Sequence, residues 1–209
     1  MRLFNFLKSR EKDYYSQSGQ DQFAYNLSGL NGFYLEIGAY HPIINSNTFK
    51  LEKECNWKGV SIEYDKSFQK SWNNCKFRKN EILWDNAFNI DYSLLIKQKK
   101  LPPRLNYLSC DIEPAENTFN ILKRIINSNL VFDYISFEHD KYNIGDKYKN
   151  LSIDYLKNHN YKIAINDVYS RNKKYKIYET WFIHDDIDFE RIDYSRWKKD
   201  FYKANKFSL

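Results

Sequence analysis

Short apolar runs alternate with segments of helical periodicity along most of the chain. A strand that is buried on both faces reads as a short, nearly continuous apolar run, bounded by turn residues. By this criterion, strands are predicted at residues 33–37, 59–63, 76–83, 106–111 and 132–138, and an adjacent pair of strands at 161–166 and 176–183.

Helical patterns fill the gaps between these runs. The clearest pattern places Phe119, Leu122, Ile125 and Ile126 on one face of a helix. Helices are predicted at residues 47–55, 66–74, 92–99, 115–127 and 147–158. The alternation predicts an α/β fold of the Rossmann-like, doubly wound kind. It has a seven-stranded, mostly parallel sheet, helices on both faces and a C-terminal antiparallel hairpin.

Three segments follow from this organisation. A charged, helical lead-in spans residues 1–29, the main domain spans 30–193, and a C-terminal tail spans 194–209. We find no internal repeat and no linker rich in Pro, Gly or Ser. The length of 209 residues suits one domain of ordinary size.

Composition narrows the class of protein. The hydrophobic share of 42% and the aromatic share of 18% exclude a disordered chain. The mean hydropathy of -0.77, without a long uncharged apolar run, predicts no transmembrane segment. The three cysteines form no CxxC pair, and the N-terminus has no apolar core of a signal peptide. These features together predict a cytoplasmic protein.

The charge balance is mildly basic. The chain has 33 Lys and Arg against 27 Asp and Glu, which gives a formal net charge of +6. Such an excess favours anionic partners, but no dense basic block indicates a nucleic-acid tail. We therefore expect an ordinary protein surface, with nucleic acid an unlikely partner.

Acidic residues recur where the predicted strands end. Ligands of doubly wound sheets bind beyond the carboxyl ends of the strands. Glu36 and Gly38 end the first strand, and Glu63 ends the second, 27 positions after Glu36. That position suits a carboxylate that accepts from ribose hydroxyls. Only one glycine follows the first strand, so a GxGxxG pyrophosphate loop is not indicated.

Further candidates lie in the other loops at this edge. The segment from Gly38 to Asn47 leads to a helix N-terminus, which suits a carboxylate or phosphate. Asp85 follows the third strand and could accept from an adenine amino group. Asp111 and Glu113 follow the fourth strand; their oxygens could hold Mg²⁺, although no His or Cys spacing indicates a metal site.

Two histidines are candidate general bases. His139 follows the fifth strand between two acids, an arrangement that can hold an imidazole pKa near neutrality. His41 lies in the first loop. A hydrogen-bonded structural role is the alternative for both residues.

The motifs, taken in order, resemble those of the FkbM family of S-adenosylmethionine-dependent methyltransferases. The resemblance covers about residues 16–184 and lies in the segments SQSGQD at 16–21, GFYLEIGA at 32–39, HP at 41–42, SNT at 46–48, WKG at 57–59, IE at 62–63, YLSCDIE at 107–113, FEHD at 137–140 and YETWFI at 178–183. It implies the seven-stranded class I methyltransferase fold, S-adenosylmethionine as cofactor and a hydroxyl of a sugar, glycan or small metabolite as acceptor.

The resemblance also implies roles for individual residues. Glu36, Gly38 and Ala39 would line the cofactor site, and Asn47 belongs to the same loop. Glu63 would bind the ribose hydroxyls, Asp85 would approach the adenine, and Asp111 would face the methionine end and the acceptor. Gln17 and Gln20 would belong to a lid formed by the lead-in.

The sequence departs from the family pattern at two places. His41 and Pro42 follow Gly38-Ala39-Tyr40, where many members have Asp-Gly, and Pro114 replaces a glycine after Asp111-Ile112-Glu113. A proline has no N–H, so no backbone donor is available at position 114.

Other functions remain open on the sequence. A nucleic-acid methyltransferase would suit the basic balance, but the Asp/Asn-Pro-Pro-aromatic motif of amino-methylating enzymes is absent after the fourth strand. A cofactor-binding protein without turnover is a second alternative. A nicotinamide-dependent oxidoreductase is disfavoured because the glycine triplet is absent.

Overall fold

The computed structural model describes residues 14–170 and 176–188. Residues 1–13 of the predicted lead-in, residues 171–175 between the last two predicted strands, and the predicted tail at 194–209 lie outside these ranges.

A seven-stranded sheet forms the centre of the molecule, with strand order β3-β2-β1-β4-β5-β7-β6. The strands are β1 (Phe33–Ile37), β2 (Lys58–Glu63), β3 (Glu81–Trp84), β4 (Arg104–Cys110), β5 (Val131–Glu138), β6 (Tyr161–Ser170) and β7 (Lys176–His184). Strands β1 to β5 pair in parallel, and β7 lies antiparallel between β5 and β6. The predicted mostly parallel sheet with a C-terminal antiparallel pair is therefore confirmed.

Within the described residues, seven α-helices connect or flank the strands. They are α1 (Gln20–Ser28), α2 (Phe49–Cys55), α3 (Gln69–Asn73), α4 (Tyr92–Gln98), α5 (Ala115–Ile126), α6 (Lys141–Ile144) and α7 (Lys147–Lys157). Short 3-10 turns precede α3 and α4, at Lys66–Phe68 and Ala87–Asn89. The side chain of Asp91 caps α4 by accepting from the Leu94 N–H at 2.9 Å, which satisfies a donor that the helix itself leaves open.

The sheet buries apolar side chains on both of its faces. Because successive strand residues point to opposite faces, Leu108 and Ile135 join the core beneath α4, α5 and α7, while their neighbours Tyr107 and Tyr134 join a second, aromatic core. The Tyr107 and Tyr134 rings stack with centroids 4.7 Å apart. Phe23 of α1 packs on Tyr134 and is fully buried, so α1 is part of the aromatic core.

Two strands, β3 and β6, have bounds clearly different from the sequence prediction, and one short helix was not predicted. β3 begins at Glu81 rather than at residue 76, because the side chain of Arg78 in the preceding turn is drawn into a buried ion pair. β6 runs on to Ser170, past register shifts in its pairing with β7 that interrupt the alternating pattern. The short helix α6 was not predicted. Among the described helices, none has the length and apolar character needed to cross a membrane.

Candidate functional site

A cavity of about 580 Å³ opens at the carboxyl ends of the parallel strands. Seven of the residues expected at a cofactor site or its lid line it, namely Gln17, Glu36, Gly38, Ala39, Asn47, Glu63 and Asp111. The other lining residues are Tyr40, Asn45, Tyr64, Asp65, Phe68, Ile112, Glu113 and Glu138. This edge of the sheet is the one that the fold class predicts for a ligand.

Gly38 brings the ends of β1 and β4 together. Its φ of +80° lies in the left-handed region, and a Cβ at this position would meet the carbonyl oxygen of Asp111 at 1.6 Å. The Gly38 N–H donates to the Ile62 carbonyl at 2.9 Å, and the Asp111 N–H donates to the Ile37 carbonyl at 3.0 Å. A glycine is required here by packing between backbones, and this contact fixes Asp111 in the cavity wall.

Glu63 ends β2 with its carboxylate held by two backbone donors. Oε2 accepts from the Tyr40 N–H at 2.6 Å, and Oε1 accepts from the Asp65 N–H at 2.7 Å. A carboxylate oxygen has two acceptor sites, so each oxygen can accept one further hydrogen bond. The arrangement can therefore bind a pair of neighbouring hydroxyls.

Asn47 contributes an acceptor to the opposite part of the wall. Its Nδ2 donates to Ser109 Oγ at 2.9 Å, whereas its Oδ1 is buried and has no hydrogen-bond partner among the described residues. A buried acceptor without a partner is costly, so a ligand that donates to it would bind favourably.

Glu36 is a charged residue within the central strand β1. Its Oε2 accepts from Ser61 Oγ at 2.6 Å and from Thr48 Oγ1 at 2.8 Å, and it lies 3.2 Å from Arg78 Nη2. Burial raises the pKa of this carboxyl, and the Arg78 charge opposes that shift. All three partners contact Oε2, so none of them occupies the acceptor sites of Oε1.

Asp111 and Glu138 follow or end the neighbouring strands β4 and β5. Cys110 pairs with Phe137 in this parallel ladder, so the next residue of each strand lies at the same level. Both acids line the cavity, Glu138 from a largely buried position. Glu138 was not among the residues predicted for the site.

His139 lies outside the cavity and is fully buried. Its Nδ1 accepts from the Lys141 N–H at 3.2 Å, and its Nε2 lies 3.1 Å from Thr180 Oγ1, which donates to the Asn166 carbonyl. This network implies the tautomer with the proton on Nε2. Burial, aided by the Lys149 charge, lowers the pKa of His139 to about 4. The contacts favour a structural role.

His41 and Asp85 also lie outside the cavity lining. His41 Nδ1 accepts from the N–H groups of Ile43 and Ile44 at 3.1 and 3.0 Å, which closes the turn after Pro42. Exposed Asp85 accepts from the Asn86 N–H at 2.6 Å. Both side chains cap turns.

The side chains of Gln17 and Gln20 bind the N-terminal segment to strands β6 and β7. Gln17 lines the cavity and donates to Ser170 Oγ at the end of β6. Gln20 is buried beside the cavity lining and donates to Tyr178 OH at 2.8 Å and to Glu179 Oε1 at 2.9 Å. The two residues lie close in sequence, but only Gln17 reaches the cavity.

The lining is strongly acidic. Among the described residues that line the cavity, six are Asp or Glu and none is Lys or Arg, although the whole chain has a net charge of +6. Such a cavity favours cationic groups. Within the described ranges, no three His, Cys, Asp or Glu side chains group closely enough to hold a metal ion.

Three aromatic residues that line the cavity were not predicted from the sequence. Tyr40, Tyr64 and Phe68 line it, and the Tyr40 and Phe68 rings lie 4.5 Å apart. The chain has many tyrosines and phenylalanines, so the residue type of these three gave no indication of a site. Their place directly after β1 and β2 is the one sequence feature that points to them.

Comparison with known proteins identifies the fold. No family model matches the chain, and no curated protein matches it. A Klebsiella pneumoniae structure assigned as an O-methyltransferase is similar at 12% identity and TM-score 0.57, over 80% of each chain. A Clostridium thermocellum structure assigned as an rRNA methylase is similar at 11% identity and TM-score 0.53, over 81% of this chain and 95% of that one.

A third structure contains a bound cofactor. A Streptococcus pneumoniae protein assigned as a tRNA methyltransferase, in complex with S-adenosyl-L-methionine, is similar at 10% identity and TM-score 0.51, over 83% of this chain and 76% of that one. At such identities the likeness concerns the fold alone. The chain has the Rossmann-like fold that these class I methyltransferase structures share.

Proposed function

We propose that this protein is an S-adenosylmethionine-dependent methyltransferase that methylates a hydroxyl of a sugar, glycan or small metabolite. The observation that carries the proposal is the Glu63 carboxylate, which two backbone N–H groups hold at the end of β2 in the cavity wall. The motif resemblance to the FkbM family supports the same activity, and membership of that family is part of the proposal.

The residues of the cavity fit this cofactor. Glu63 offers acceptors to the two ribose hydroxyls, and the buried Asn47 Oδ1 offers an acceptor to an ammonium. The acidic lining suits a ligand that has both a sulfonium and an ammonium charge. Gly38, Ala39 and Glu36 contribute the wall between these two ends, whereas Gln20 and Asp85 are assigned no direct contact.

When bound, S-adenosylmethionine supplies an electrophilic methyl group. The protein then has to align an acceptor hydroxyl and take up its proton, and a positioned base contributes typically about 10²–10⁴-fold to such a step. We assign the base to Asp111, with Glu138 beside it, because both acids line the cavity at the ends of adjacent strands. His139 and His41 are not assigned this role because they lie outside the lining.

A nucleic-acid acceptor is the second candidate. Two structures of similar fold are assigned as RNA methyltransferases, and the chain is basic overall. The acidic cavity opposes it, because a phosphate backbone close to six carboxylates would be repelled. The neutral hydroxyl acceptor is therefore the primary proposal.

Thermal unfolding with S-adenosylhomocysteine tests cofactor binding. A ligand at about 100 times its Kd adds roughly 2.7 kcal/mol, which for a chain of this size raises Tm by several degrees. Glu63→Ala is expected to abolish the shift, whereas Asp85→Ala, an acid after the neighbouring strand, is expected to retain it. A shift with NAD alone, or no shift with either ligand, would contradict the cofactor assignment.

Transfer of a labelled methyl group identifies the acceptor class. Neutral sugars and glycans are expected to be labelled, and Asp111→Asn is expected to reduce the labelling. Labelling of RNA, with affinity that falls steeply as salt rises, would favour the second candidate. Cofactor binding without transfer to any acceptor class would indicate a binding protein.

A further inference from the structure

One wall residue of the cavity, Glu36, is paired with an arginine that lies outside every motif of the sequence analysis. Arg78 lies in the turn between α3 and β3, and its side chain is 1% exposed. Nη2 lies 3.2 Å from Glu36 Oε2, and Nη1 lies 3.3 Å from Glu52 Oε2. The guanidinium therefore lies between two buried carboxylates.

Two further contacts hold Arg78 in this position, and each partner is itself bonded to a residue of the cavity wall. Nη1 donates to Thr48 Oγ1 at 2.9 Å, and Thr48 Oγ1 in turn donates to Glu36 Oε2. The guanidinium carbon lies 4.0 Å from the centre of the Trp72 ring, a cation–π contact. Trp72 Nε1 donates to the carbonyl of Tyr40, which lines the cavity. Arg78 is thus linked to two residues of the cavity wall, to Glu36 directly and through Thr48, and to Tyr40 through Trp72.

The charges of this group leave one negative charge in excess. A single guanidinium faces two carboxylates, and all three side chains are almost completely buried. Of the three, only Glu36 lines the cavity. A buried carboxyl without a cation takes up a proton instead of remaining charged.

We propose that Arg78 is a positioning residue, which keeps Glu36 ionised and oriented so that the cavity presents a negative charge to the cationic part of its ligand. The inference rests on the proposed function, because a cationic ligand is what makes that charge useful. Arg78 itself does not line the cavity.

The surroundings of Glu36 support this role. Burial raises its pKa, and the Arg78 charge is the largest influence that lowers it. The other titratable groups near Glu36 are Glu52 from α2, Tyr34 from β1 and Tyr107 from β4, and burial raises the pKa of both phenols. None of the three supplies a positive charge. Removal of Arg78 should therefore raise the pKa of Glu36 further.

The test compares Arg78→Met with wild type and with Arg104→Met, a matched loss of a partly exposed arginine that pairs with Asp133 and Asp186. Carbon NMR of the glutamate carboxyls gives the pKa of Glu36, and calorimetry gives the Kd of S-adenosylhomocysteine across pH. We expect Arg78→Met to move both the titration and the acidic loss of binding upward by roughly one to three pH units. Arg104→Met should move neither.

A purely structural role predicts a different result, namely weaker binding at every pH with no movement of either midpoint. That outcome would overturn the proposal. In a Glu36→Gln background, Arg78→Met should produce no further pH shift. If Arg78→Met does not fold, Arg78→Gln, which retains an amide donor, gives the same comparison. Absence of binding by wild type would overturn the proposed function, while the carboxyl titration would still decide the role of Arg78.

Discussion

At the residue scale, equivalent sequence positions have different surroundings. Glu63 and Asp85 are both acids at or just after a strand end, yet Glu63 lines the cavity and Asp85 caps an exposed turn. The difference arises beyond the strand end. The chain after β2 contributes Tyr64, Asp65 and Phe68 to the cavity wall. The chain after Asp85 instead continues into the 3-10 turn at Ala87–Asn89, and none of the three residues of that turn lines the cavity.

Gly38 provides a test of the contact between β1 and β4. Gly38→Ala should destabilise the fold by more than about 3 kcal/mol, because the new Cβ would overlap the Asp111 carbonyl in addition to straining φ. Gly145→Ala is the matched control. Its φ of +76° is similar, but nothing lies within 4 Å of the added Cβ. It should cost only about 1–2 kcal/mol. Equal losses in urea unfolding would contradict the packing argument.

The buried His139 makes stability depend on pH. With a folded pKa of about 4 against a usual value of 6.5, the unfolded chain binds more protons between these values, so stability rises with pH across that window. His139→Gln should remove a dependence of roughly 3 kcal/mol. The measurement is the difference in unfolding free energy between the two proteins near pH 4 and near pH 7. A difference independent of pH would show that His139 titrates normally.

At the scale of elements, α1 is attached to the sheet by both apolar and polar contacts. Phe23 packs on Tyr134 and Trp181, and Gln20 bonds to β7. The lead-in that the sequence separates from the main domain therefore enters the core at α1. The division into a lid and a domain at residue 29 stays a prediction.

Gln20→Leu tests this attachment. The change removes donors to Tyr178 and Glu179 in a buried setting and should cost about 1–3 kcal/mol. Gln22→Leu, the same change two residues later, affects an exposed bond to Asn26 and should stay within about 0.5 kcal/mol. Chemical unfolding of both variants gives the comparison, and a larger loss in Gln22→Leu would refute it.

At the scale of the whole molecule, charge is distributed unevenly. The net charge of the chain is +6, but the charged residues that line the cavity within the described ranges are all acids. A formal charge taken from the composition of the whole chain therefore does not indicate the charge of the site.

The rates at which a thiol reagent modifies the three cysteines report unfolding of the whole molecule. All are free; Cys55 and Cys110 are buried, and burial raises the pKa of Cys55 to about 11. Cys110 lies on the central strand β4, and burial raises its pKa as well. A thiol reagent should therefore modify Cys75 rapidly in the native protein and the other two only on unfolding. Rapid native modification of Cys110 would contradict the burial of β4.

The predictability of the site differed from residue to residue. Glu36, Gly38, Glu63 and Asp111 follow from their place at strand ends, a local feature. In the segment Glu138-His139-Asp140, by contrast, the three residues follow one another at the end of the same strand. Their place in the sequence therefore did not indicate which side chain reaches the cavity. That was decided by β7, whose Tyr178 carbonyl accepts from the His139 N–H and whose Glu179 pairs with Glu138.

The sequence by itself determined the order of strands and helices and the collection of acids at one edge of the sheet. Both depend on periodicity and on strand ends, which are properties of neighbouring residues. Only the tertiary structure decided that Glu138 lines the cavity and that Arg78 pairs with Glu36, which lies 42 positions away in the sequence. Such contacts join distant parts of the chain, so their partners are set by packing and not by local pattern.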